Sequence, residues 1–252
     1  MKFNTSTLSM CFRIFGAAAS LSLSGLGYAA TDNIPDLNGL WSFPQCAEGR
    51  FSGCTVLAED DARLTDRALA YAAVFDEIAQ PKYDCAPMPI PHMWTDPYSF
   101  RIEQLEDRVR IYYGKDDVVR TVWLEGSDQA KPAINEFLYF GHSVGRFENG
   151  ALVVVTKKFT FDPQGLNADF RIPSSTQKEL TERFSRDGDD LVLEVSTVDS
   201  LFLKEPWNFT VRSTPVEALD ANWTCELDGA RRSLMFETSK YPADPEPVRI
   251  EY

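Results

Sequence analysis

The chain has 252 residues and an acidic balance, with 25 Lys and Arg against 38 Asp and Glu and a formal net charge of −13 at pH 7. This balance argues against nucleic acid and anionic membranes as partners, because affinity for both comes largely from basic patches. The sequence also lacks a phosphate-binding loop, a dinucleotide fingerprint, an H-E-x-x-H motif and a haem motif, so we expect no cofactor.

The N-terminus has the pattern of a secretory signal peptide. Lys2 and Arg13 flank the start of a short run of apolar and small residues at 14–26, and Gly27 and Ala29 suit cleavage after Ala29. The apolar run is too short to span a bilayer. We therefore predict that residues 1–29 are removed and that the mature protein is periplasmic or secreted, without membrane insertion.

Residues 30–252 are expected to form a single domain, because roughly 220 residues can bury one large core. Four cysteines remain in it, and in an oxidising compartment they allow three disulfide pairings. The polar stretch between Cys46 and Cys54 contains glycine and can close as a small loop, which leaves Cys85 to pair with Cys225. A zinc site is the alternative, but there is no C-x-x-C motif and only two histidines occur, so no metal is predicted.

The first elements differ in kind. Residues 36–43 have the pattern of a strand. Apolar residues recur at helical spacing between Leu64 and Phe75, which predicts one N-terminal helix over about 57–80. Residues 81–97 are rich in proline and cannot pair inside a sheet, so they are predicted to form an ordered arm over the surface or over a cavity mouth.

From Tyr98 onward the pattern is that of about eight or nine short antiparallel strands joined by tight turns, among them Asn149-Gly150 and Asp187-Gly188-Asp189. A Pro-rich tail follows them. Consecutive hairpins without long crossovers favour an antiparallel up-and-down barrel over a sandwich. Arg120 shares a strand face with Val122 and Leu124, and a charged residue on an apolar face needs a partner or a ligand.

Two resemblances support a barrel. Gly39-Leu40-Trp41 is similar to the G-x-W of lipocalin first strands. Residues 141–148, GHSVGRFE, together with the Glu182-Arg183-Phe184 and Pro206-Trp207 segments, resemble a group of uncharacterised secreted bacterial proteins with a GHSxGR(W/F)E signature. The resemblance covers about two thirds of the chain and implies a mainly β, calycin-like (lipocalin-like) barrel in a secreted protein, without a known reaction.

His142 is the principal acid–base candidate. Residues 141–145 spell G-x-S-x-G, but a strand follows instead of a helix and no histidine comes later, so a serine hydrolase is not expected. His142 lies beside Arg146 and Glu148, and histidine is the side chain whose ordinary pKa lies near neutrality. The alternative is a structural histidine bonded to a neighbouring strand. His92, in the Pro-rich arm, would share a pocket with His142 if the arm covered the barrel mouth.

The remaining candidate site residues are polar or aromatic side chains in the strands and the arm. Inward-facing members would bind a carboxylate, an enol or a sugar hydroxyl, whereas outward-facing members would form surface ion pairs. Glu182 is the further catalytic candidate, and five residues are predicted to bind ligand. These are Arg120, Arg183, Trp94, Tyr98 and Arg101.

Two functions follow from this pattern. The leading hypothesis is a secreted barrel that binds a small, mainly apolar or aromatic molecule in its cavity, with Arg120 and His142 as polar contacts. The alternative is a cofactor-independent lyase, isomerase or hydratase on the same barrel, with His142 moving protons and His92 or Glu182 assisting. An interaction module with an acidic surface is the third class, and it is favoured only where no cavity exists.

Overall fold

The computed structural model describes residues 34–46, 57–58, 60–76, 80–133, 135–169, 171–219 and 224–236, and all of them belong to one compact unit, Asp32–Tyr252. The predicted signal peptide and the Pro-rich tail lie outside the described residues. The helices in these ranges are α1 (Asp66–Ala73) and α2 (Leu227–Phe236). The strands are β1 (Gly39–Trp41), β2 (Gln45–Cys46), β3 (Phe100–Gln104), β4 (Arg108–Tyr113), β5 (Val119–Leu124), β6 (His142–Glu148), β7 (Ala151–Lys157), β8 (Asp162–Asn167), β9 (Ile172–Ser174), β10 (Glu179–Asp187), β11 (Asp190–Val198) and β12 (Trp207–Ser213).

Within the described residues, ten strands form one curled sheet in the order β1-β3-β4-β5-β6-β7-β10-β11-β12-β2, and β8 and β9 form a separate pair. One short stretch of chain holds both edges of the large sheet, because β1 pairs with β3 and β2 pairs with β12. A backbone hydrogen bond from Ser42 N to Thr214 O (2.8 Å) continues the second contact. The predicted mainly β, barrel-like fold is therefore confirmed.

The sheet departs from up-and-down order at one place. β5 and β6 pair in parallel, through Val122 with Ser143 and Leu124 with Gly145. Two parallel neighbours need a connection long enough to return to the same end of the sheet, and residues 125–141 provide it. In its described residues this segment contains one short 3-10 turn, Asp128–Ala130, and no α-helix, so its sequence carried no periodic signal of a crossover.

The tight turns follow the sequence pattern. Asn149 and Gly150 have φ values of 49° and 71°, as the two-residue turn between β6 and β7 requires. Side chains then alternate along the paired strands, and β12 alternates strictly between buried and exposed positions. One face of the sheet therefore forms the core.

Helix α1 is shorter than predicted. It begins after Thr65, whose side-chain oxygen accepts a hydrogen bond from Ala68 N at 3.2 Å, and it ends at Ala73. Leu64, predicted on the helix face, instead forms an isolated antiparallel bridge with Leu203. The bridge to Leu203 and the cap at Thr65 set the start of the helix. The first N–H groups of a helix have no acceptor within the helix, and the Thr65 side chain accepts a hydrogen bond from one of them. In the described residues, no helix is long and apolar enough to span a membrane.

The Pro-rich segment does not lie wholly over the surface or a cavity mouth, as predicted, because its central turn lies in the core. The 3-10 turn His92–Thr95 carries Met93 and Trp94, which are both fully buried, as is Ile90 just before it. Proline excludes this segment from the sheet ladders, but its apolar residues still leave water by packing against the sheet's inner face.

Lys178 holds the Pro-rich segment in place through its side-chain ammonium. Its ammonium is buried and donates hydrogen bonds to the carbonyl oxygens of Ile90 (2.8 Å) and Gly165 (3.1 Å). It also lies over the ring of Phe159, 4.2 Å from the centroid. Burial lowers the pKa of Lys178 from 10.5 to about 8, while the negative charges of Asp162 and Asp199 act in the opposite direction.

This pKa gives Lys178 a measurable effect on stability. Because its folded-state pKa lies below the unfolded-state value, the unfolded chain binds more protons between about pH 8 and 10.5, and the free energy of unfolding rises with pH in that window. Across this whole pH window, Lys178 raises the free energy of unfolding by about 3 kcal/mol. We expect urea denaturation of wild type and Lys178→Met to give a wild-type-minus-variant difference that increases from pH 7 to 9.5. Other titrating groups are common to both proteins, so a difference independent of pH would contradict the assignment.

Candidate functional site

Arg120 and Glu182 form a buried ion pair inside the sheet. Arg120 comes from β5 and Glu182 from β10, and they are 3% and 0% exposed. Arg120 Nη1 donates to Glu182 Oε1 at 2.7 Å, and Nη2 donates to Oε2, so the pair is bidentate. Glu182 shares its face of β10 with the buried Leu180 and Phe184. The same pattern of one charge on an apolar face that singled out Arg120 therefore also applied to Glu182.

Three uncharged side chains complete this buried cluster. Ser143 Oγ accepts from Arg120 Nε at 3.1 Å, and Thr156 Oγ1 accepts from Arg120 Nη2 at 2.8 Å. The indole Nε1 of Trp94 donates to Glu182 Oε1 at 2.6 Å. The cluster thus satisfies the charges of both partners from within the protein, as buried ions require.

The structure therefore brings three predicted site residues together, but not in an open cavity. Trp94 packs edge-on between Phe100 and Phe184, with ring centroids 5.4 and 5.8 Å away. All three rings are buried. The guanidinium of Arg120 is bonded to Glu182, Ser143 and Thr156, and Glu182 takes the position that the sequence assigned to a ligand. Arg120 and Glu182 thus hold the arm and the sheet together.

Other predicted ligand-binding residues lie apart from this cluster. Arg101 stacks on Tyr112, 3.7 Å from the ring centroid. Arg183 pairs with Glu194 at 3.4 Å, both partly exposed. Such exposed pairs add about 0–1 kcal/mol each. Tyr98 is half-buried and packs edge-on against Tyr113 at 6.0 Å.

His92 is buried and its ring is fixed. Its Nδ1 accepts a hydrogen bond from Ala168 N at 2.9 Å, and its Nε2 lies 3.5 Å from Asp169 Oδ2. Contact with His92 lowers the pKa of Asp169. With Nδ1 accepting from Ala168, the ring N–H lies on Nε2 and faces Asp169. Both ring nitrogens therefore have partners within the protein.

His142 lies in a different environment, beside an open cleft of about 330 Å³ with Trp123, Leu138 and Phe140 in its walls. Its Nε2 is 3.4 Å from Ala130 O, a long hydrogen bond. Two other titratable side chains line this cleft: Arg120, which Glu182 binds, and Tyr139, which donates its proton to Pro87 O at 2.7 Å. Among the described residues of this cleft, His142 therefore lacks a second group for acid–base work.

A second cleft, called the rim cleft below, has a volume of about 340 Å³ and combines polar and apolar walls. Residues from the Pro-rich segment, including Pro81, Ala86, Pro87 and Met88, form one wall. The cleft is also lined by charged side chains of both signs, the carboxylates of Asp116, Asp162 and Asp169 and the cations of Lys82, Lys115 and Arg171. Its volume lies at the lower end of the range for small-molecule sites.

Asp162 is the most unusual residue of the rim cleft. It is 4% exposed, and its Oδ1 accepts a hydrogen bond from Gln164 N at 2.8 Å. Its Oδ2 is buried and has no hydrogen-bond partner among the described residues. Burial, followed by the negative charge of Asp162 and a hydrogen-bonding contact with its carboxylate, raises the pKa of the nearby Tyr139 phenol. The same phenol lies 2.7 Å from Pro87 O.

Asp116 contributes a second carboxylate oxygen without a partner. It lies in the turn after β4 with a φ of 62°, and its Oδ1 is buried without a hydrogen bond among the described residues. Burial raises the pKa of Asp116, and Asp96 and Asp117 raise it further, whereas Lys115 and the Cys225 backbone N–H lower it. The sequence pattern did not identify Asp116 or Asp162, because acidic residues in turns and short strands are usually solvated. It did not identify Tyr139 either.

A disulfide forms part of the rim cleft. Cys85 and Cys225 both line the cleft and are bonded to each other, as predicted, with Cα atoms 5.6 Å apart. The bond joins the Pro-rich segment to the chain just before α2. Cys54 lies outside the described residues, so the Cys46–Cys54 pairing stays a prediction. The described residues contain no group of three or more His, Cys, Asp or Glu side chains placed to hold a metal ion.

Comparisons with known proteins do not identify the chain. No protein-family model and no curated protein matches it. A search of solved structures matched the crystal structure of a mutant of the fluorescent protein UnaG, with 16% identity, 72% of this chain and 97% of that chain covered, and a TM-score of 0.30. A TM-score of this size carries no argument, so the function must be inferred from the site geometry.

Proposed function

We propose that this chain is an exported small-molecule-binding protein whose ligand occupies the rim cleft. The observation that carries the proposal is the rim cleft itself, which has a volume of about 340 Å³ and is lined by both apolar and charged side chains. Small-molecule sites are concave, largely preformed and lined mainly by apolar groups with a few polar ones.

The walls of the rim cleft favour a ligand with two kinds of surface. Ala86, Pro87 and Met88 offer apolar contact, while Asp162 and Gln164 offer polar groups. This differs from the mainly apolar ligand expected inside the barrel, because the barrel interior is filled by Trp94 and its neighbours. Apolar contact with the ligand is still proposed, but at the Pro-rich wall of the rim cleft.

The rim cleft is preorganised. The Cys85–Cys225 disulfide and the hydrogen bond from Lys178 to Ile90 O fix the Pro-rich wall at two points, and the bond from Trp94 to Glu182 fixes it at a third. A site that is already ordered loses less conformational entropy when ligand binds. The disulfide also supports the proposed export, since such bonds persist in oxidising compartments.

Filling the rim cleft should abolish binding. We expect the purified protein, incubated with a metabolite extract and examined by native mass spectrometry, to retain one or more small molecules. Ala86→Trp and Gln80→Trp, which each add a large ring at the cleft, should lose them. Ala133→Trp, at an exposed loop position outside the cleft, is the matched control and should retain them, with circular dichroism checking the fold of each variant.

Retention of the same molecules by both cleft-filling variants would contradict the rim cleft as the binding site. The same extract also separates binding from turnover. A metabolite consumed by the wild type and left intact by His142→Ala would support the acid–base alternative, and stoichiometric retention without consumption supports a binding protein.

A further inference from the structure

We propose that the cleft beside His142 binds an extended, acidic peptide segment of a partner protein, which pairs with the free edge of β5 and places an apolar side chain in the cleft. Residues 119–121 of β5 form one wall of this cleft, and residues 138–143 form the other. Apart from Tyr139, these residues do not line the rim cleft. The peptide site is therefore independent of the proposed small-molecule site.

The cleft exists because β6 joins β5 only part-way along its length. Within the described residues, β5 pairs with β4 over residues 119–123 but with β6 only over residues 122–124. The chain before β6 pairs elsewhere, since Leu138 N donates to Lys158 O at 2.8 Å. Gly141 then redirects the chain at a φ of 67°, where an added Cβ would lie within 2.8 Å of the β7 backbone. Both walls are thus fixed by contacts outside the cleft.

The edge of β5 presents unpaired backbone groups to this cleft. Val118 O and Leu124 N form hydrogen bonds of 2.9 Å on the β4 side. Because the N–H and C=O groups of successive strand residues point to opposite edges, those of Val119 and Thr121 point to the cleft. Their N–H groups and the Val119 C=O bond to none of the described residues. An extended peptide supplies partners for all three groups, which is how strand addition binds.

Apolar side chains surround this free edge. Val119, Phe137 and Leu138 are 49%, 45% and 39% exposed, and the partly buried Trp123 and Phe140 line the cleft with them. Exposed apolar side chains gathered in one place mark interaction sites. Side chains alternate between the two faces along an extended peptide, so one that pairs with β5 brings an aliphatic or aromatic side chain against these walls.

The charge of the surrounding sheet face favours an acidic peptide. The outward-facing side chains of β4 to β7 include four cations and one carboxylate, although the whole chain has a net charge of −13. A local patch of opposite sign to the partner speeds association and fixes orientation. The five charged residues are Arg108, Arg110, Arg146, Glu148 and Lys157.

Arg110 is the cation best placed to meet the peptide. It lies opposite Thr121 in the β4–β5 register. Its Nη1 contacts the Tyr112 hydroxyl at 3.4 Å, and it forms no ion pair with the described residues. The nearest carboxylates are used elsewhere, because Glu103 accepts from the Tyr112 hydroxyl and Asp107 pairs with the neighbouring arginine of β4. Arg110 can therefore bind a carboxylate of the peptide.

The test uses three synthetic peptides with the same apolar centre, titrated into the full protein and followed by NMR. They are acetyl-Glu-Val-Phe-Val-Glu-amide, its counterpart with Lys in place of Glu, and the acidic peptide N-methylated at its three central residues. We expect the acidic peptide to bind and to slow hydrogen exchange at the Val119 and Thr121 amides. The lysine peptide should bind several-fold more weakly, and the N-methylated peptide, which cannot donate backbone hydrogen bonds, should not bind.

Substitutions on the protein separate the backbone contribution from the charge. Val119→Pro removes one free N–H at the first residue of a strand, where proline is tolerated, and should weaken acidic-peptide binding about two- to tenfold. Val119→Thr keeps the N–H and should weaken it less. Arg110→Gln should weaken binding of the acidic peptide alone, whereas Arg67→Gln, at an exposed position of α1, is the matched control and should not. Circular dichroism checks the fold of each variant.

Equal binding of the N-methylated peptide, or unchanged exchange at the Val119 and Thr121 amides, would overturn pairing with β5. Equal binding of the lysine peptide would overturn the acidic assignment, and failure of all three peptides to bind at millimolar concentration would overturn the whole proposal. If the protein instead forms a dimer in analytical ultracentrifugation that Val119→Pro disrupts, the free edge pairs with a second copy of the chain and the peptide assignment is wrong.

Discussion

Arg120→Met is expected to lower the free energy of unfolding by about 3–5 kcal/mol, because it leaves the Glu182 carboxylate buried without its counter-ion. Glu182 is fully buried, and its remaining hydrogen bond in this cluster comes from Trp94 Nε1. One neutral donor does not replace a bidentate guanidinium. Urea denaturation followed by tryptophan fluorescence measures the loss.

Arg183→Met is the matched control for this experiment. Arg183 follows Glu182 in β10 but faces outward and pairs with Glu194, both partly exposed, so its loss should cost less than about 1 kcal/mol. The double variant Arg120→Met, Glu182→Leu should recover much of the stability, since replacing both buried charges by apolar groups is often neutral. If Arg120→Met costs no more than Arg183→Met, water reaches the cluster and the barrel interior is open.

Removing the Cys85–Cys225 disulfide is the second large change. The bond closes a sequence separation of 140 residues, and the chain-entropy relation gives about 5 kcal/mol for a loop of that length. Cys85→Ala, Cys225→Ala should therefore unfold at a much lower urea concentration than the wild type. Chemical reduction of the wild-type protein should produce at least this shift, since it breaks the Cys85–Cys225 bond. In the double variant, reduction can act only on the predicted Cys46–Cys54 bond, so the further shift should be smaller.

The same variant tests how α2 is attached. Next to the bond, Arg231 in α2 donates to the exposed Asp84 at 2.6 Å, a contact of small expected value. If the double variant loses less than about 1 kcal/mol, the segment that precedes α2 detaches without unfolding the sheet. The rim cleft would then lose Cys225 from its wall, and ligand retention should fall even though the sheet remains folded.

Patterns that act over short distances could be predicted from the sequence. Alternation of apolar and polar residues located the strands, and Asn149-Gly150 located the β6–β7 turn, because strand faces and tight turns depend on neighbouring residues. The shared face of Arg120 and its apolar neighbours followed from the same alternation. The polar, glycine-containing stretch between Cys46 and Cys54 was expected to close as a loop, which left Cys85 to pair with Cys225, and the structure has that second bond. The length of α1 was wrong because Leu64 is bound to Leu203, far away in the chain.

The candidate site depended instead on contacts between distant segments. Glu182 meets Arg120 across 62 residues and Trp94 across 88, and no local pattern specifies that these three side chains meet. The burial of the Asp116 and Asp162 carboxylate oxygens can be recognised only from the tertiary structure. The local sequence around an aspartate in a turn is the same whether water or protein surrounds the side chain.

The sequence by itself determined the fold class of this protein and the alternation of side chains along its strands. Local stereochemistry and hydrophobic alternation suffice for these features. Only the tertiary structure decided which strand face is inward, that the central turn of the Pro-rich segment lies in the core, that Arg120 binds a carboxylate of its own chain, and that the cleft lies at the rim. The register of strand pairing and the path of irregular segments fix these contacts, and both depend on packing the whole core.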